Sequence, residues 1–331
     1  MSETTAQRRD PVDAHLYLLA TMAFFGSAFT SSKVVVGHVP HQVAAALRFG
    51  GGAVILLLIL AVAGRRSGPF VWREAVRAGL VGLLGVFAYN LFFFWGLSLA
   101  PSVDGSIIVP VLSPVLTTTA LLVMGKETAS VPRIAGLVLG VAGAVVFFLG
   151  IGDAAGGVSG QRLTGDLVYL LGAAAWAAYS ITSKRVLAGI EPLRATTYGT
   201  VAGSLGLVLL ALPAVPDTHW SSLPASTWAN VGYLAVGPTA IAYLCFYRGL
   251  RSVSPSTATV MMFAVPVFGV TSSVLFLDES FTATQVAGGV VMLAGAVLAV
   301  TQGRFARAGR KAAPAPQASP SAVAPEGARA N

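Results

Sequence analysis

Charge and cysteine are both scarce in this sequence. Only 10% of its 331 residues are Asp, Glu, Lys or Arg, whereas 55% are hydrophobic. A soluble globular domain of this length needs more charged surface, so the composition indicates a membrane protein. The single cysteine, Cys245, lies inside an apolar segment, which excludes a disulfide framework or a zinc site built on several cysteines.

Catalysis and nucleic-acid binding are disfavoured as well. An enzyme needs a nucleophile, a metal cluster or paired carboxylates at one site, and the four histidines show no metal-ligand spacing. The net charge of +8 would suit nucleic acid only if the basic residues gathered on one solvated face, but they are dispersed between apolar segments. We therefore expect no enzymatic activity, no metal or cofactor, and no nucleic-acid partner.

Long apolar segments dominate what is present. Crossing a hydrocarbon core about 30 Å thick takes about 20 helical residues, because unpaired backbone groups are costly in lipid. All but one of the candidate segments lack Asp, Glu, Lys and Arg, and the exception contains only Arg48. The sequence predicts an all-α polytopic membrane protein with ten transmembrane helices at about 16–32, 42–63, 78–100, 105–124, 134–152, 167–183, 195–215, 226–247, 255–277 and 282–303.

Loop charge predicts the orientation, since Lys and Arg are retained on the cytoplasmic side. With the N-terminus inside, all but three of the 21 basic residues fall on that side, the exceptions being Lys33, Arg48 and Arg162. Both termini are therefore predicted to be cytoplasmic: a short segment, 1–15, and a tail, 304–331. The tail is rich in Ala, Pro and Ser and is expected to be disordered.

The sequence repeats itself at a constant distance. A shift of 152 residues without a gap superposes residues 133–148 on 285–300 with seven identities in sixteen, and it also superposes Pro114 on Pro266 and Glu127 on Glu279. This predicts a first repeat over 16–152, a periplasmic linker over 153–166 and a second repeat over 167–303. Five helices is an odd number, so the second repeat enters the membrane from the opposite side. Inverted repeats are typical of secondary transporters that work by alternating access, although a duplicated structural bundle would show the same pattern.

Motifs in both repeats resemble those of a known family. The segments FFGSAFTSSKVVVG (24–37), VAAALRFGGGAVILLL (43–58) and GVFAYNLFFFWGLSLAPSVDGSII (85–108), with a second copy from AAAWAAYSITSKRV (173–186) to LDESFTATQVAGG (277–289), are similar to the EamA domain of the drug/metabolite transporter superfamily. The resemblance implies a ten-helix carrier of the bacterial inner membrane. Its relatives commonly export amino acids or related small metabolites.

This resemblance leaves several points open. The partners expected are a small-molecule substrate and the lipid bilayer, and a homodimer is compatible with the family. The alternative to efflux is a non-transport membrane subunit or a lipid-head-group flippase accessory. No carboxylate lies in mid-membrane, so the sequence leaves two modes of transport open. One is facilitated diffusion, and the other is coupling to an ion gradient through residues nearer the surface.

Candidate residues for a substrate cavity are polar groups at mid-membrane depth, which are costly unless they meet a partner or a watery cavity. Prolines in these helices are candidates as well, because each leaves a backbone carbonyl without its helical hydrogen bond. In members of the family that this chain resembles, six helices line the cavity: the first, third, fourth, sixth, eighth and ninth. The candidates are Ser27, Thr30, Arg48, Tyr89, Asn90, Ser113, Pro114, Thr117, Trp176, Tyr179, Tyr243, Tyr247, Pro266 and Thr271.

Each candidate also has a structural interpretation. Asn90 could bind a small zwitterion or form an interhelical hydrogen bond. The aromatic residues could form a wall or simply pack, and most hydroxyls could bond back to their own helix. Arg48 could recognise a carboxylate or snorkel outward.

Charged residues at the segment ends suggest two gates. The inverted repeat places Lys33 and Glu279 at the outer surface and Arg185 and Glu127 at the inner one. We expect each pair to close its own face, with ordinary interfacial charges as the alternative. Gly136, Gly140 and Gly143 follow a helical spacing that predicts a close-packing face.

Overall fold

The chain folds into a bundle of helices. The structure, a computed structural model, describes residues 11–63, 70–126, 130–152, 160–250, 261–280 and 282–301, and these residues contain no strand. In chain order the helices are α1 (Pro11–Val36), α2 (His41–Ala63), α3 (Trp72–Gly82, Leu83–Ala88 and Tyr89–Leu99), α4 (Ser102–Val123), α5 (Val131–Gly152), α6 (Gly160–Val186), α7 (Pro192–Ala211), α8 (Ala225–Leu234, Ala235–Ile241 and Ala242–Leu250), α9 (Val265–Leu277) and α10 (Ala283–Thr301).

The helices have the length and surface of membrane spans. Within the described ranges, eight are long and apolar enough to cross a bilayer, which confirms a multi-pass all-α protein. Large apolar side chains such as Val62, Leu149 and Leu209 are exposed on the bundle surface, where lipid rather than water would cover them. Helix α6 falls outside the eight and has charged residues near both ends, and α9 is a shorter apolar helix of 13 residues.

Several helices begin earlier than the apolar pattern predicts, and two of them, α4 and α6, extend past buried charged residues. Helix α4 begins at Ser102 rather than at 105, and α6 begins at Gly160, inside the predicted 153–166 linker. The apolar pattern stops at Asp104 for α4 and at Asp166 for α6. Asp104 forms an ion pair with Arg162, which lies in the early part of α6. A paired charge no longer needs bulk water, so both helices continue past it. Residues 1–10 and the predicted tail, 304–331, lie outside the described residues.

Helix packing repeats between the two halves of the chain. Helix α1 packs against α8 and α9, and α6 packs in the same way against α3 and α4. The matching helices α2 and α7 contact each other, as do α5 and α10. Helices α3 and α8 are each interrupted by a π-helical segment, Leu83–Ala88 and Ala235–Ile241, and the 152-residue shift superposes the starts of these segments.

Helices α5 and α10 approach each other along glycines. Gly136 lies against Ala299 and the carbonyl of Gly295, and Gly143 lies against Met292 and the carbonyl of Gly288. Residue numbers rise along α5 as they fall along α10, so the two helices run antiparallel. The predicted close-packing face is confirmed, since a missing side chain is what lets the two backbones meet.

Candidate functional site

A cavity of about 130 Å³ lies in the centre of the bundle. It is lined by residues of α1, α2, α3, α4, α6 and α8, by Met262 just before α9, and by Val265, the first residue of α9. Seven of the predicted cavity residues meet there: Arg48, Tyr89, Asn90, Ser113, Pro114, Trp176 and Tyr243. Residues far apart in sequence are thus gathered around one space.

Arg48 brings an unpaired positive charge to this cavity. The residue is only 8% exposed, so its side chain does not snorkel to the surface. Its guanidinium donates a long hydrogen bond, Nη1 to Ser32 Oγ at 3.4 Å, and Nε has no partner within the described part of the chain. The Cζ atom lies 4.8 Å from the ring centroid of Phe49 and 5.7 Å from that of Phe93. Among the described residues, no carboxylate forms an ion pair with Arg48.

Asn90 adds an unpaired acceptor. Its side chain is 2% exposed, and Nδ2 donates to the carbonyl of Val86 one turn earlier at 2.8 Å. That carbonyl belongs to the π-helical segment of α3. This bond lies within α3, so Nδ2 does not form the interhelical hydrogen bond that was the alternative for Asn90. The side-chain oxygen Oδ1 accepts from no group of the described residues and is left to accept from a ligand.

Aromatic rings form one side of the cavity. Tyr89 packs edge-on against Trp176 at 5.0 Å between centroids, and Tyr243 packs against Phe25 at 5.8 Å. Tyr179 packs at a tilt against Trp176, with 5.2 Å between ring centroids, but it lines a smaller neighbouring cavity between α3, α6 and α7. Val86 and Tyr243 border both spaces, so the two cavities are adjacent.

Some lining residues were not predicted. They include Phe25, Phe29, Phe49, Phe93 and Thr239. A phenylalanine in an apolar helix looks the same in sequence whether it faces lipid, a neighbouring helix or a cavity, so no local signal could have identified the four rings.

Several predicted hydroxyls bond to their own helix. Ser113 Oγ donates to the carbonyl of Val109 at 2.6 Å, and Thr117 Oγ1 donates to the carbonyl of Ser113 at 2.8 Å. This back-bonding, which was one of the two interpretations above, occupies their single donor. Ser113 still borders the cavity, where its oxygen can accept.

The other predicted residues lie away from the central cavity. Thr30 is bonded to Ser272 and Ser273 of α9 at 2.7 and 3.1 Å. Ser27 and Thr271 border a groove beside Tyr233, and Pro266 is buried in the first turn of α9. Tyr247 belongs to α8, but its side chain lies outside the described residues.

The predicted outer gate residues bind the junction between α3 and α4. Lys33 Nζ donates to the carbonyls of Leu97 and Ala100, both at 2.6 Å. Glu279 accepts from the backbone N–H groups of Ser102 and Val103 at 2.9 and 2.8 Å, and from Ser102 Oγ at 2.9 Å. Each charge thus complements the helix end that it contacts. The two side chains do not form a direct ion pair.

The predicted inner gate is only partly described. Arg185 is exposed near the end of α6, and Glu127 lies outside the described residues. At this end of the bundle Arg194 forms an ion pair with Glu74 at 3.3 Å. Arg77 of α3 donates to the carbonyl of Val186, the last residue of α6, and to that of Ala188 just after it.

Comparisons with known proteins agree on one family. The EamA-like transporter family matches residues 13–149 and 163–301. The Aromatic amino acid exporter YddG of Ancylobacter novellus is 30% identical over 249 residues, which cover 75% of this chain and 82% of that protein. The Uncharacterized transporter YyaM of Bacillus subtilis is 26% identical over 289 residues, covering 87% and 93% of the two chains.

A solved structure shows the same fold. One protein crystal structure superposes with a TM-score of 0.62 over 89% of this chain and 99% of that chain, at 22% sequence identity. The family match falls on the two repeats found in the sequence, and it confirms the resemblance drawn from their motifs. The chain belongs to the EamA-like transporter family, and it is a multi-pass membrane transporter rather than an enzyme.

Proposed function

We propose that this transporter exports an amino acid, or a related zwitterion with an apolar or aromatic side chain, across the bacterial inner membrane. The observation that carries the proposal is the central cavity, where an unpaired guanidinium, an unpaired amide oxygen and aromatic rings meet. The guanidinium of Arg48 suits a carboxylate. The Oδ1 atom of Asn90 suits an ammonium group, and the rings suit an apolar side chain.

The name of one relative points the same way. YddG of Ancylobacter novellus is called an aromatic amino acid exporter. In this chain, Tyr89, Trp176 and Tyr243 lie on the cavity wall together with Phe93. Large apolar and aromatic amino acids are therefore the first candidate substrates.

Alternating access would use the two repeats as inverted halves. The antiparallel contact of the equivalent helices α5 and α10 is what a two-fold axis in the membrane plane produces. Counting α6 and α9 as spans gives ten transmembrane helices, five per repeat. Helix α6 has 27 residues, which at 1.5 Å per residue is about 40 Å and ample for a crossing. The distribution of Lys and Arg supports an orientation with both termini in the cytoplasm.

A counterflow assay tests the substrate class. Proteoliposomes loaded with an unlabelled aromatic amino acid should take up the labelled compound, while protein-free liposomes should not. Because both charged ends of the substrate are recognised, phenethylamine and hydrocinnamate, which each lack one end, should compete poorly with phenylalanine. Equal competition by all three compounds, or no flux for any amino acid tested, would contradict the proposal. Overexpression should also protect cells from toxic amino-acid analogues if the direction is export.

The gate proposal places closure of the outer end at the α3–α4 junction. Lys33 and Glu279 hold this junction from α1 and from the end of α9, so opening would require both to release it. Arg185 and Glu127 would act at the opposite face.

Changing Glu279 to glutamine should loosen this outer end. The variant loses a charge-assisted interaction with three donors, worth about 1.5 to 3 kcal/mol, which raises the open population roughly tenfold to a hundredfold. We expect faster maleimide labelling of a Ser106→Cys reporter, buried on α4, in a Cys245→Ser background. Asp278→Asn, which removes the exposed neighbouring acid, is the control. Glu127→Gln should act at the other face, and an identical change at both faces for the two variants would exclude the gate.

A further inference from the structure

A buried cluster of charged side chains lies at the outer end of the bundle. It contains Asp104 of α4, Arg162 and Asp166 of α6, Lys33 of α1, and Glu279 beyond α9. Asp104 and Asp166 are both 0% exposed. Lys33, Arg162 and Glu279 are half-buried. If every group were ionised, the cluster would hold three negative and two positive charges with little access to water, which is unfavourable.

Hydrogen bonds are shared unequally among the three carboxyl groups. Glu279 accepts from three donors of the α3–α4 junction. Asp104 accepts from Arg162 Nε and Nη2 at 2.7 and 2.9 Å, and from Gln285 Nε2 at 3.3 Å. Neither oxygen of Asp166 accepts from any donor of the described residues.

Asp166 nevertheless points into the cluster. Its carboxyl group lies beside that of Asp104 and within the field of Arg162. The guanidinium is already engaged by both oxygens of Asp104, so it gives Asp166 no hydrogen bond. The other ionisable groups around the pair are Lys33, Glu279 and Tyr169, whose hydroxyl donates to the carbonyl of Pro101 at 3.3 Å.

Protonation of Asp166 would remove the cost of burying a carboxylate without donors. A buried carboxylate without donors is costly, and two carboxylates that share one site do not both ionise readily. Protonated Asp166 is neutral, and its new O–H can donate to an oxygen of Asp104. Asp104 has no such need, because Arg162 and Gln285 already satisfy it.

We propose that Asp166 is the proton-binding site of a proton/substrate antiporter. A proton from external water adds to one Asp166 oxygen when the outer end opens, giving the neutral carboxylic acid. Closure of that end then buries the acid. When the outer end is closed and the transporter opens inward, the same O–H bond breaks, the proton leaves for the cytoplasm by way of the central cavity, and the carboxylate remains at the site. This inference rests on the proposed transport function and supplies its energy source.

The cluster is mechanically linked to the central cavity. Helix α4 carries Asp104 and, further along, Ser113 at the cavity wall, while α6 carries Asp166 and the wall residue Trp176. On α1, Lys33 of the cluster follows Ser32, which accepts the hydrogen bond from Arg48. A change of charge at Asp166 therefore acts on helices that shape the substrate site.

The test separates driven from passive transport. The membrane potential is clamped, and a proton gradient of one pH unit is directed into wild-type proteoliposomes. If one proton is exchanged for each substrate molecule, this gradient should drive substrate efflux toward about a tenfold concentration difference. Asp166→Asn should lose this stimulation and keep counterflow, because its cavity is intact. Asp166→Glu should retain part of the stimulation, and Asp217→Asn, on the exposed loop between α7 and α8, should behave as wild type. A sodium gradient should have no effect.

The outcomes are distinguishable from failure of the transport proposal. Wild-type counterflow without any response to the proton gradient would overturn the proton site alone, as would an unchanged response in Asp166→Asn. If no amino acid is transported, thermal unfolding still decides. A native state that holds a proton lost on unfolding becomes less stable as the pH rises. The wild-type melting temperature should therefore fall from mildly acidic to mildly alkaline pH, and that of Asp166→Asn should fall less. Parallel curves would overturn the site.

Discussion

Changing Arg48 to methionine should lower transport at low substrate concentration by about thirtyfold or more while leaving the protein at least as stable as wild type. The guanidinium is buried and has no counter-ion among the described residues. Removing an uncompensated buried charge while keeping an apolar stem is neutral or stabilising. A substrate carboxylate would lose its charged partner, at a cost of about 2 kcal/mol or more, which is roughly a thirtyfold loss of affinity or greater.

Two further variants separate recognition from packing. Arg48→Lys keeps the charge but not the planar fork that fits a carboxylate, so it should recover part of the counterflow. Ser32→Ala removes the protein's own hydrogen bond to Arg48 and should reduce transport only slightly. A methionine variant that transports normally, or one that unfolds more easily than wild type, would contradict the role assigned to Arg48. Melting temperature in detergent and counterflow in proteoliposomes measure the two effects.

Membrane segments and repeats could be predicted because their signals are long. Twenty apolar residues between basic loops, and a constant shift over both halves, do not depend on any single side chain. Helix ends could not be predicted equally well, because a charge such as Asp104 looks like a boundary until its partner on another helix, Arg162, is known. The same limitation hid Asp166, which lies just outside the predicted apolar segment.

The candidate site was predictable where a residue type is unusual for its depth. Asn90 and Arg48 stand out in apolar helices, and both border the central cavity. Thr30 and Thr117 are equally polar, but they bond to α9 and to their own helix. The sequence alone cannot distinguish a polar side chain that borders the cavity from one that bonds within the protein, because a hydroxyl can always donate to a backbone carbonyl of its own helix. The phenylalanines were missed for the opposite reason, since nothing marks them as unusual.

Changing Gly143 to leucine should have the largest effect on folding. A Cβ at this position would overlap the backbone of Met292 and the carbonyl of Gly288 on α10. Backbone atoms cannot move aside as a flexible side chain can, so α5 and α10 would have to separate. Overpacking costs about 1 to 3 kcal/mol in ordinary cores, and we expect the upper end or more here. The yield of folded protein and its melting temperature should both fall sharply.

The matched control is the same substitution at Gly232, an exposed glycine of α8 with open space where a Cβ would lie. Gly232→Leu should fold normally. Because Gly295 occupies the repeat-equivalent position and lies against Gly136 and Gly140 of α5, Gly295→Leu should match Gly143→Leu. Once α5 and α10 are forced apart, the second leucine has room, so the double variant should cost less than the two single variants added together. A tolerated Gly143→Leu, or strictly additive costs, would show that the two helices are not held together by this glycine contact.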